Sequence, residues 1–480
     1  MKKIFLTIAF AALAMGLAFT SNAQEKEKEK EMKTGWSFGV LPTATFSADN
    51  GFQAGAFGDV YYYGDGSTYP DPLHKISWEG SYFTKSQRMR LYLAYDSKYL
   101  IPGMRINASV TYMNDPLYSF WGFNGPASFD SGITKSFTSV DYPLWGNRNI
   151  LLANGNNLNY YGMSRQMLRV LANVQGRITD KLNWAAGVNF WNWTLGDMRD
   201  PAVDANKDGN KTNYDHSITL YNKYRELGAI KDGEAAGGMS LELNAGLVFD
   251  TRDIEAAPNK GIWAEAYLNG APYSGNPSKG YYSPYLKACV YFRHYISIPI
   301  PIPAGNPVFA YRLAWQQTIA GETPFYMIQN NPLLVQRNMI SEGFGSSNTI
   351  RGLRENRILA EGMAWVNTEL RVKIVNFKLF NQYFYLATNP FFDAGIITKA
   401  YRADVLNKAI SDSALSSIPG YEGGTAIYDP SKLNQLIYSA GLGLKLAMNQ
   451  NFIISAELAK CFTPGLDAGL WIGIGINYQF

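Results

Sequence analysis

The sequence has little of what most catalytic and metal sites are built from. Its 480 residues include three histidines and two cysteines, and charged residues make up 17% of the chain. No histidine stands in a metal-ligand spacing, and no CxxC, GxSxG or phosphate-binding glycine pattern occurs. Asp215-His216, in a long connection, has no matching nucleophile or second acidic pair. We therefore expect that the protein is not an enzyme.

Long apolar runs are also missing beyond the N-terminal segment. No stretch of about 18 apolar residues follows Phe19, which excludes membrane-spanning helices. A net charge of +4 in 480 residues gives no basis for binding nucleic acid. Cys289 and Cys461 fall on predicted strands that lie far apart, so we expect no disulfide.

The N-terminal residues have the composition of an export signal. Residues 1–23 contain two lysines, an apolar run and a small-residue cleavage site, which predicts a secretory signal peptide. Residues 24–33 alternate Glu and Lys and predict a solvated, disordered tail. Residues 34–480 remain as a single predicted domain in an exported protein.

Aromatic residues and alternating polarity are what the sequence has in abundance. Tyrosine occurs 32 times and tryptophan 11 times. Leu241, Leu243 and Ala245 alternate with Glu242 and Asn244, as a strand with one face in lipid and one in a wet lumen requires. A soluble β-sandwich would alternate too, but with its apolar face inward and with shorter strands. The pattern therefore predicts an all-β, transmembrane, antiparallel up-and-down barrel in the lipid of the bacterial outer membrane.

About sixteen strands are predicted, an even number as closure of a bacterial barrel requires. They lie near 34–47, 52–63, 75–87, 88–98, 103–114, 166–178, 182–196, 238–250, 260–270, 283–297, 306–319, 363–374, 381–398, 435–447, 451–460 and 468–480. The long connections follow odd-numbered strands, at 115–165, 197–237, 320–362 and 399–434. Most of the others are tight, as periplasmic turns are, and 64–74 is the exception.

The loop at 320–362 carries the densest group of arginines in the chain. Its glycines favour a folded loop over a helix or strand. Strand parity turns Glu369 and Asp393, on the next two strands, towards the lumen. A planar guanidinium suits docking on two carboxylates. We therefore predict that the loop folds into the lumen as a plug, with Arg351 in reach of Glu369 or Asp393. The alternative is an arginine in a mobile surface loop.

Several segments resemble the BamA/TamA superfamily of outer-membrane assembly and secretion barrels, also called the bacterial surface antigen family. Ile350-Arg351-Gly352 resembles its conserved loop signature, and Leu353 departs from the aromatic residue that usually follows. The other similar segments are Phe391, Asp393 and Gly395, which match an F-x-D-x-G motif, the aromatic-glycine motif Phe120 to Asn124, and the mid-barrel turn that begins at Asp250.

The resemblance implies a barrel that acts in outer-membrane biogenesis, in the insertion or export of protein or lipid. It also implies a protein partner in the periplasm or outer membrane. Such family members carry periplasmic POTRA domains before the barrel, and residues 24–33 are too few to form one. We therefore expect a POTRA-less member. The alternative is a passive pore or structural surface barrel that keeps the fold without the insertase activity.

The two ends of the barrel domain predict a weak seam. Pro42 removes a hydrogen-bond donor from the first strand, and Gly473 and Gly475 weaken the last one. The ending with Tyr478 and Phe480 resembles the C-terminal signal of outer-membrane barrels. A weak seam suits a lateral gate, but barrel curvature also uses glycine, and the sequence leaves both interpretations open.

One surface loop has the spacing of a calcium site. Asp204, Asn206, Asp208 and Asp215 place oxygen ligands at positions 1, 3, 5 and 12, with Gly209 at position 6. The last ligand is Asp instead of Glu, and no helical pattern flanks the loop. Turn chemistry alone also enriches Asp, Asn and Gly. Ca²⁺ is thus the one candidate cofactor, with an ordinary turn-rich loop as the alternative.

Overall fold

The computed structural model describes residues 33–47, 50–69, 71–128, 150–151, 157–158, 161–199, 219–254, 257–328, 343–379, 382–410, 428–448, 452–464, 466 and 469–476. Sixteen long antiparallel strands in these ranges form one sheet, in which each strand pairs with its neighbours in the sequence. The first and last strands also pair with each other, so the sheet closes. The predicted up-and-down barrel of sixteen strands is confirmed.

The wall strands are numbered here in chain order. They are β1 (Trp36–Ser47), β2 (Gly51–Tyr62), β3 (His74–Phe83), β4 (Met89–Ile101), β5 (Met104–Ser119), β6 (Gly162–Arg177), β7 (Leu182–Gly196), β8 (Gly237–Asp250), β9 (Gly261–Asn276), β10 (Tyr285–Ser297), β11 (Val308–Gly321), β12 (Gly362–Leu379), β13 (Gln382–Lys399), β14 (Ile437–Met448), β15 (Phe452–Cys461) and β16 (Leu470–Ile476). Two-residue strands also occur at Ile150–Leu151 and Asn157–Leu158, which pair with each other outside the wall, and at Tyr281–Tyr282, which pairs with the end of β9.

Alternation along each strand gives the wall two different faces. On β8, Leu241, Leu243 and Leu247 are 37–52% exposed, while Glu242 and Asn244 between them are 2% and 5% exposed. Charged and amide side chains thus fill the interior, and leucines cover the outside. This distribution is the reverse of a soluble protein and is the one that a lipid-facing barrel needs.

The connections differ in length between the two ends of the barrel. After odd-numbered strands the chain runs through 120–161, 197–236, 322–361 and 400–436, whereas β4–β5 and β6–β7 are joined by the short turns 102–103 and 178–181. Long loops face the outside of the cell and short turns face the periplasm in bacterial barrels. At the periplasmic end the connection 63–73 is long, as the sequence indicated, and 251–260 and 298–307 are of similar length.

Helical segments occur only in loops within the described part of the chain. They are α1 (Leu220–Glu226), α2 (Asp232–Ala235), α3 (Ala403–Ile410) and the 3₁₀ turns Gly125–Ser128, Pro277–Lys279, Phe325–Met327 and Pro430–Lys432. Thr219 caps α1 by accepting a hydrogen bond from Asn222 N. None of the described helices has the length and hydropathy needed to cross a membrane.

The long loops pack together over the outer end of the lumen. An aromatic cluster under them contains Phe120, Phe123, Tyr224, Phe325 and Tyr401, each 5% exposed or less. The Phe123 ring meets Tyr401 edge-on at a centroid distance of 4.6 Å, and Phe120 meets Phe325 at 5.3 Å. These edge-to-face contacts hold loops from distant parts of the chain in one layer.

Some sequence predictions fall on residues outside the described ranges. These are the signal peptide 1–23, nearly all of the tail 24–33, the calcium-like loop with Asp204, Asn206, Asp208 and Asp215, and the terminal residues Tyr478 and Phe480. Cys289 and Cys461 are both described, and both are free thiols buried in the barrel interior.

Candidate functional site in the barrel lumen

Residues 343–361, here called the plug loop, fold back into the lumen. A two-residue bridge starts the loop, in which Phe344 N donates to Ile358 O at 3.0 Å and Ile358 N to Phe344 O at 3.1 Å. Ile350, Leu353 and Ile358 are fully buried and belong to one apolar cluster with wall residues. The loop therefore has a small core of its own, which lies against the inner wall.

Arg351 is the main contact between the plug loop and the wall. Its Nε and Nη2 donate to the two oxygens of Asp393 on β13, each at 2.9 Å. Its Nη1 donates to Glu369 Oε2 on β12 at 3.1 Å and to Glu457 Oε1 on β15 at 3.4 Å. The Arg351 backbone N–H also reaches Asp393, at 3.0 Å. We call this group the Arg351 anchor, and it brings together the three charged residues selected from the sequence.

The wall supplies cations that balance the three carboxylates of the Arg351 anchor. Arg371 donates to Glu369 at 2.7 Å, and Lys445 donates to Glu457 at 2.7 Å. Arg351, Glu369 and Asp393 have no exposed side-chain surface. Buried charges are tolerated when they are paired and hydrogen-bonded. The three cations and three carboxylates balance each other, so the buried group carries no net charge.

A contact with an aromatic ring also fixes the direction of the Arg351 side chain. Its guanidinium lies 3.5 Å from the centroid of the Phe391 ring, which forms the floor of the site. Burial alone would lower the pKa of Arg351, but Asp393, Glu457 and Glu369 outweigh it and raise that pKa above its usual value. The guanidinium is therefore a permanent cation whose plane is set by an aromatic face.

Gly352 allows the backbone to reach the wall immediately after Arg351. Its φ is +90°, a conformation that residues with a side chain rarely adopt. A Cβ at this position would lie 3.1 Å from Cys461 N and from Lys460 C, at the end of β15. Both the conformation and the close approach therefore require glycine. Leu353, which departs from the aromatic residue of the motif, is completely buried beside it.

A second charged group holds the plug loop four residues later, and the sequence did not reveal it. Glu355 accepts hydrogen bonds from Asn50 Nδ2 at 2.6 Å, from Arg88 Nη2 at 2.8 Å and from Arg165 Nη2 at 3.2 Å. Both arginines also donate to Asp115 Oδ2 on β5, at 2.7 and 3.2 Å. We call this group the Glu355 anchor. Burial raises the pKa of Glu355, but Arg88 and Arg165 outweigh it and hold the pKa below its usual value.

The two anchors lie on opposite parts of the wall. The Arg351 anchor uses β12, β13 and β15, and the Glu355 anchor uses β5, β6 and the turns that follow β1 and β3. In the order of the sixteen strands, β5 and β13 are eight strands apart in either direction. The plug loop therefore crosses the lumen and connects the two sides of the β1–β16 closure.

The aromatic-glycine segment noted in the sequence covers the plug loop from above. Trp121 Nε1 donates to the Glu355 carbonyl at 3.2 Å, and Asn124 N donates to Leu359 O at 2.8 Å. The guanidinium groups of Arg354 and Arg357 lie 5.8 and 5.6 Å from the Trp121 ring. All three arginines of the plug loop thus contact aromatic rings inside the barrel.

The outer loops add an ion network above this segment. Arg402, just before α3, forms ion pairs with Glu234 on α2 and with Glu322 after β11. Lys231 Nζ joins Glu322 at 2.9 Å. Burial works against the charge on Arg402, but Tyr401 and the two carboxylates outweigh it and raise the pKa of that guanidinium. The network ties three loops together over the lumen.

The seam contains the other described residues selected from the sequence. Pro42 is exposed on the outer face of β1, opposite Ala56 of β2. Gly473 and Gly475 face Glu457 and Ser455 of β15 in the register. Within the described residues, β1 and β16 are joined by the pairs Phe46–Ile474 and Ser47–Gly473. The seam meets the plug loop at one position, because Gly473 lies opposite Glu457, which belongs to the Arg351 anchor.

Glu457 and the Glu355 anchor are the parts of the site that the sequence reasoning missed. Period-two alternation on β15 does turn Glu457 inward, so this signal was available in the sequence. Asn50, Arg88 and Arg165 come from two turns and a distant strand, and no local pattern connects them to Glu355. Within the part of the chain described, no group of three or more His, Cys, Asp or Glu side chains is arranged to hold a metal ion.

Solved structures with this fold include two outer-membrane proteins. BamA from Haemophilus ducreyi lacking POTRA domains 1–3 matches with a TM-score of 0.51 and 12% identity over 93% of this chain and 70% of that chain. CdiB from Escherichia coli matches with a TM-score of 0.51 and 8% identity over 92% of this chain and 62% of that chain. No protein-family model and no curated protein matches the sequence. The protein is thus a β-barrel of the bacterial outer membrane, with the fold of the BamA and CdiB barrels.

Proposed function

We propose that the barrel acts in outer-membrane biogenesis, by inserting or exporting polypeptide or lipid through an opening between β1 and β16. The observation that carries the proposal is the unequal pairing of β16. Seven residue pairs join its described part to β15, whereas two join it to β1. Because each backbone hydrogen bond contributes about 0.5–1.5 kcal/mol, the sparsely paired side should open first.

The plug loop supports a gated function over free diffusion. It crosses the lumen between two buried charged groups, beneath an aromatic layer formed by the outer loops. A passive pore needs an open lumen at rest, so the plug loop would have to be detached from both charged groups. The likeness in fold to BamA and CdiB agrees with the proposal, and a periplasmic or outer-membrane protein partner would supply substrate recognition.

A disulfide across the seam tests the proposal directly. Phe46 and Ile474 are register partners on the outer face, so replacing both with cysteine should allow β1 and β16 to be locked without disturbing the lumen. The native thiols would be removed by Cys289→Ala and Cys461→Ala. We expect oxidation of the Phe46→Cys, Ile474→Cys variant to abolish growth or outer-membrane assembly in cells that depend on this protein, and reduction to restore it.

The matched control is a second cysteine pair inside the wall. Leu93 on β4 and Val110 on β5 are register partners, 54% and 42% exposed to the outside. Oxidation of Leu93→Cys, Val110→Cys should leave function unchanged, since these strands do not separate. Normal growth with the seam fully oxidised would overturn the proposal. Large, steady conductance of the purified barrel without a partner would instead favour a passive pore.

A further inference from the structure

The hairpin of β12 and β13 extends past its neighbours at the periplasmic end of the barrel. β12 pairs with β11 up to Arg371, and β13 pairs with β14 from Phe384 onwards. Every residue of 374–379 is exposed, whereas alternate residues earlier in β12 are buried. The end of the hairpin thus leaves the wall and enters the periplasm. We call residues 372–379 and 382–388 the periplasmic hairpin.

One edge of the periplasmic hairpin has no strand beside it within the described residues. Residues 372–379 pair with β13, and no backbone hydrogen bond joins their other edge to the described part of the chain. The segment that lies nearest to this edge is 298–307, the connection between β10 and β11. Asn376 Nδ2 donates to Ala304 O at 3.0 Å, which is a side-chain contact and not a strand pairing.

The connection 298–307 cannot act as the missing strand. Its sequence repeats Ile-Pro three times, and proline has no N–H to donate. Ile300 N donates to Ile298 O at 2.7 Å, and Ile302 N donates to Ile300 O at 2.9 Å. These three-residue turns use the N–H groups of the segment itself. The outer edge of β12 therefore keeps a row of N–H and C=O groups that one further strand would satisfy.

The periplasmic hairpin presents two different faces beside its free edge. Val375, Phe377 and Leu379 lie on one face and are 38–43% exposed. Lys373 and Lys378 lie on the other face, and the sequence of the hairpin contains no acid. A strand that matches this edge therefore has one apolar face and one acidic face, because cross-strand pairs of like polarity and of opposite charge are the stabilising ones.

Two other occupants do not fit the free edge. Lipid fits the apolar face but not the backbone, because an open sheet edge does not occur in the hydrocarbon region, where no water satisfies its polar groups. A second copy of the chain would bring the lysines of two hairpins together, and lysine on an edge strand opposes such pairing. The edge thus favours a different protein.

We infer that the free edge of the periplasmic hairpin is the docking site for an extended segment of a periplasmic partner protein, which adds to β12 as a further strand. Apolar side chains of that segment pack beside Val375 and Phe377, and acidic ones pair with Lys373 and Lys378. The inference rests on the proposed function for the existence of a protein partner, and on the hairpin for everything else, whether or not the seam opens.

Binding of a synthetic peptide to the purified full-length barrel in detergent tests the docking site. The probe is a fluorescent peptide of about eight residues, as long as the free edge, that alternates Val and Glu. A peptide that alternates Val and Lys is the comparison. Fluorescence anisotropy should show tighter binding of the Val-Glu peptide. Equal affinity for the two peptides would overturn the docking site.

A charge reversal on the hairpin sharpens this test. Lys378→Glu should weaken binding of the Val-Glu peptide by roughly 2- to 30-fold, because an attractive cross-strand pair becomes a repulsive one, and should strengthen binding of the Val-Lys peptide. Lys181→Glu makes the same change in the exposed turn 178–181 and should leave both affinities at the wild-type level. Heat-modifiable migration on gels verifies that each variant is a folded barrel. A folded Lys378→Glu barrel with unchanged affinities would contradict the site.

N-methylated peptides test the backbone pairing. Alternate N–H groups of a strand point to opposite edges, so methylation of one alternate set should abolish binding and methylation of the other set should not. Binding that survives both modifications would overturn the added strand. Loss of binding when the barrel is transferred into lipid nanodiscs would overturn it too, since lipid would then cover the hairpin. Self-association of the barrel that the peptide displaces would assign the edge to a second copy and not to a partner.

The oxidised seam variant separates this inference from the proposed function. The Phe46→Cys, Ile474→Cys barrel should bind the Val-Glu peptide with the wild-type affinity, because the hairpin lies away from β1 and β16. A failure of peptide binding therefore leaves the gate untouched, and normal growth with a locked seam leaves the docking site untouched.

Discussion

The two anchors of the plug loop are built with opposite polarity. In the Arg351 anchor a loop cation lies among three wall carboxylates. In the Glu355 anchor a loop carboxylate lies between two arginines, one on β6 and one in the turn after β3. The residues are four positions apart, so one short segment is held by both walls at once. Because the charges differ in sign, exchanging the two sites by sliding the loop would put like charges together. The opposite polarity of the anchors therefore fixes the register of the loop in the lumen.

The anchors also differ in strength. Arg351 is completely buried, makes hydrogen bonds to three carboxylates and stacks on Phe391. Glu355 is 6% exposed and shares its two arginines with Asp115. Each substitution leaves one uncompensated charge, but Arg351→Ala also removes every hydrogen bond of that side chain, whereas Glu355→Gln keeps the shape and one acceptor oxygen. We therefore expect the Arg351 anchor to hold the loop and the Glu355 anchor to refine its position.

The largest effect is expected for Arg351→Ala. Removing one partner of a fully buried charge pair costs about 3–5 kcal/mol, and no exposed surface is present at Arg351, Glu369 or Asp393 to reduce that cost. The plug loop should detach and function should fall, while the wall, whose strands pair independently, stays folded. Limited proteolysis within 343–361, with heat-modifiable migration as the measure of the wall, checks both expectations.

Arg351→Lys is the matched control for this truncation. It retains the charge but not the planar fork that binds both oxygens of Asp393 while reaching Glu369, so rescue should be poor. Protection of the loop in Arg351→Lys at the wild-type level would show that charge alone holds it. If the plug loop of Arg351→Ala resists proteolysis as the wild-type loop does, then the Arg351 anchor is not the stronger of the two.

A smaller effect is expected for Glu355→Gln. Glutamine keeps the shape and one acceptor oxygen for Asn50, but it leaves Arg88 and Arg165 with Asp115 as their shared carboxylate. A hydrogen bond to a charged group is worth about 1.5–3 kcal/mol, so proteolysis of the loop should rise less than in Arg351→Ala. The double variant should fall short of the sum, since one broken anchor already frees the segment that the other holds.

The same variant isolates the pH dependence of the Glu355 anchor. The pKa of Glu355 is held below 4.5 in the folded protein, so its stabilising contribution is present above that pH and is lost as the pH falls through the folded pKa. The difference in unfolding midpoint between wild type and Glu355→Gln should therefore shrink in acid and be constant near neutral pH. A difference that grows in acid would mean that the carboxyl is protonated in the folded state.

Sequence alone could predict the strands and the Arg351 anchor for a common reason. Both depend on period-two alternation, which is local, and Glu369 and Asp393 follow the plug loop on the next two strands. The Glu355 anchor depends on how residues 50, 88 and 165 converge around the barrel. That convergence is set by the stagger between many strands and by turn geometry, which no short pattern encodes.

The glycines of the last strand show another limit of the sequence. Both were expected to weaken the seam or permit curvature. In the structure the Trp471 ring covers Gly473, and an added Cβ would lie 2.4 Å from it, whereas the nearest atom at Gly475 is Ser455 Oγ at 3.9 Å. Gly473 therefore has a packing role next to Glu457, and this role follows from a rotamer that the sequence does not specify.

The smallest effect, at Gly475, distinguishes a weak seam from a curved strand. Gly475→Ala has room for its methyl group, and alanine is favoured over glycine in a strand by about 0.5–1 kcal/mol, so the unfolding midpoint should rise slightly. If the seam must open, this more stable barrel should be less active. Gly473→Ala is the comparison, because Trp471 must move to admit it and the gain in stability should vanish. Activity that stays at the wild-type level in a stabilised Gly475→Ala barrel would assign the glycine to curvature. The pairing of β1 with β16 would then be controlled by the plug-loop anchors, which join β15 to the turn after β1.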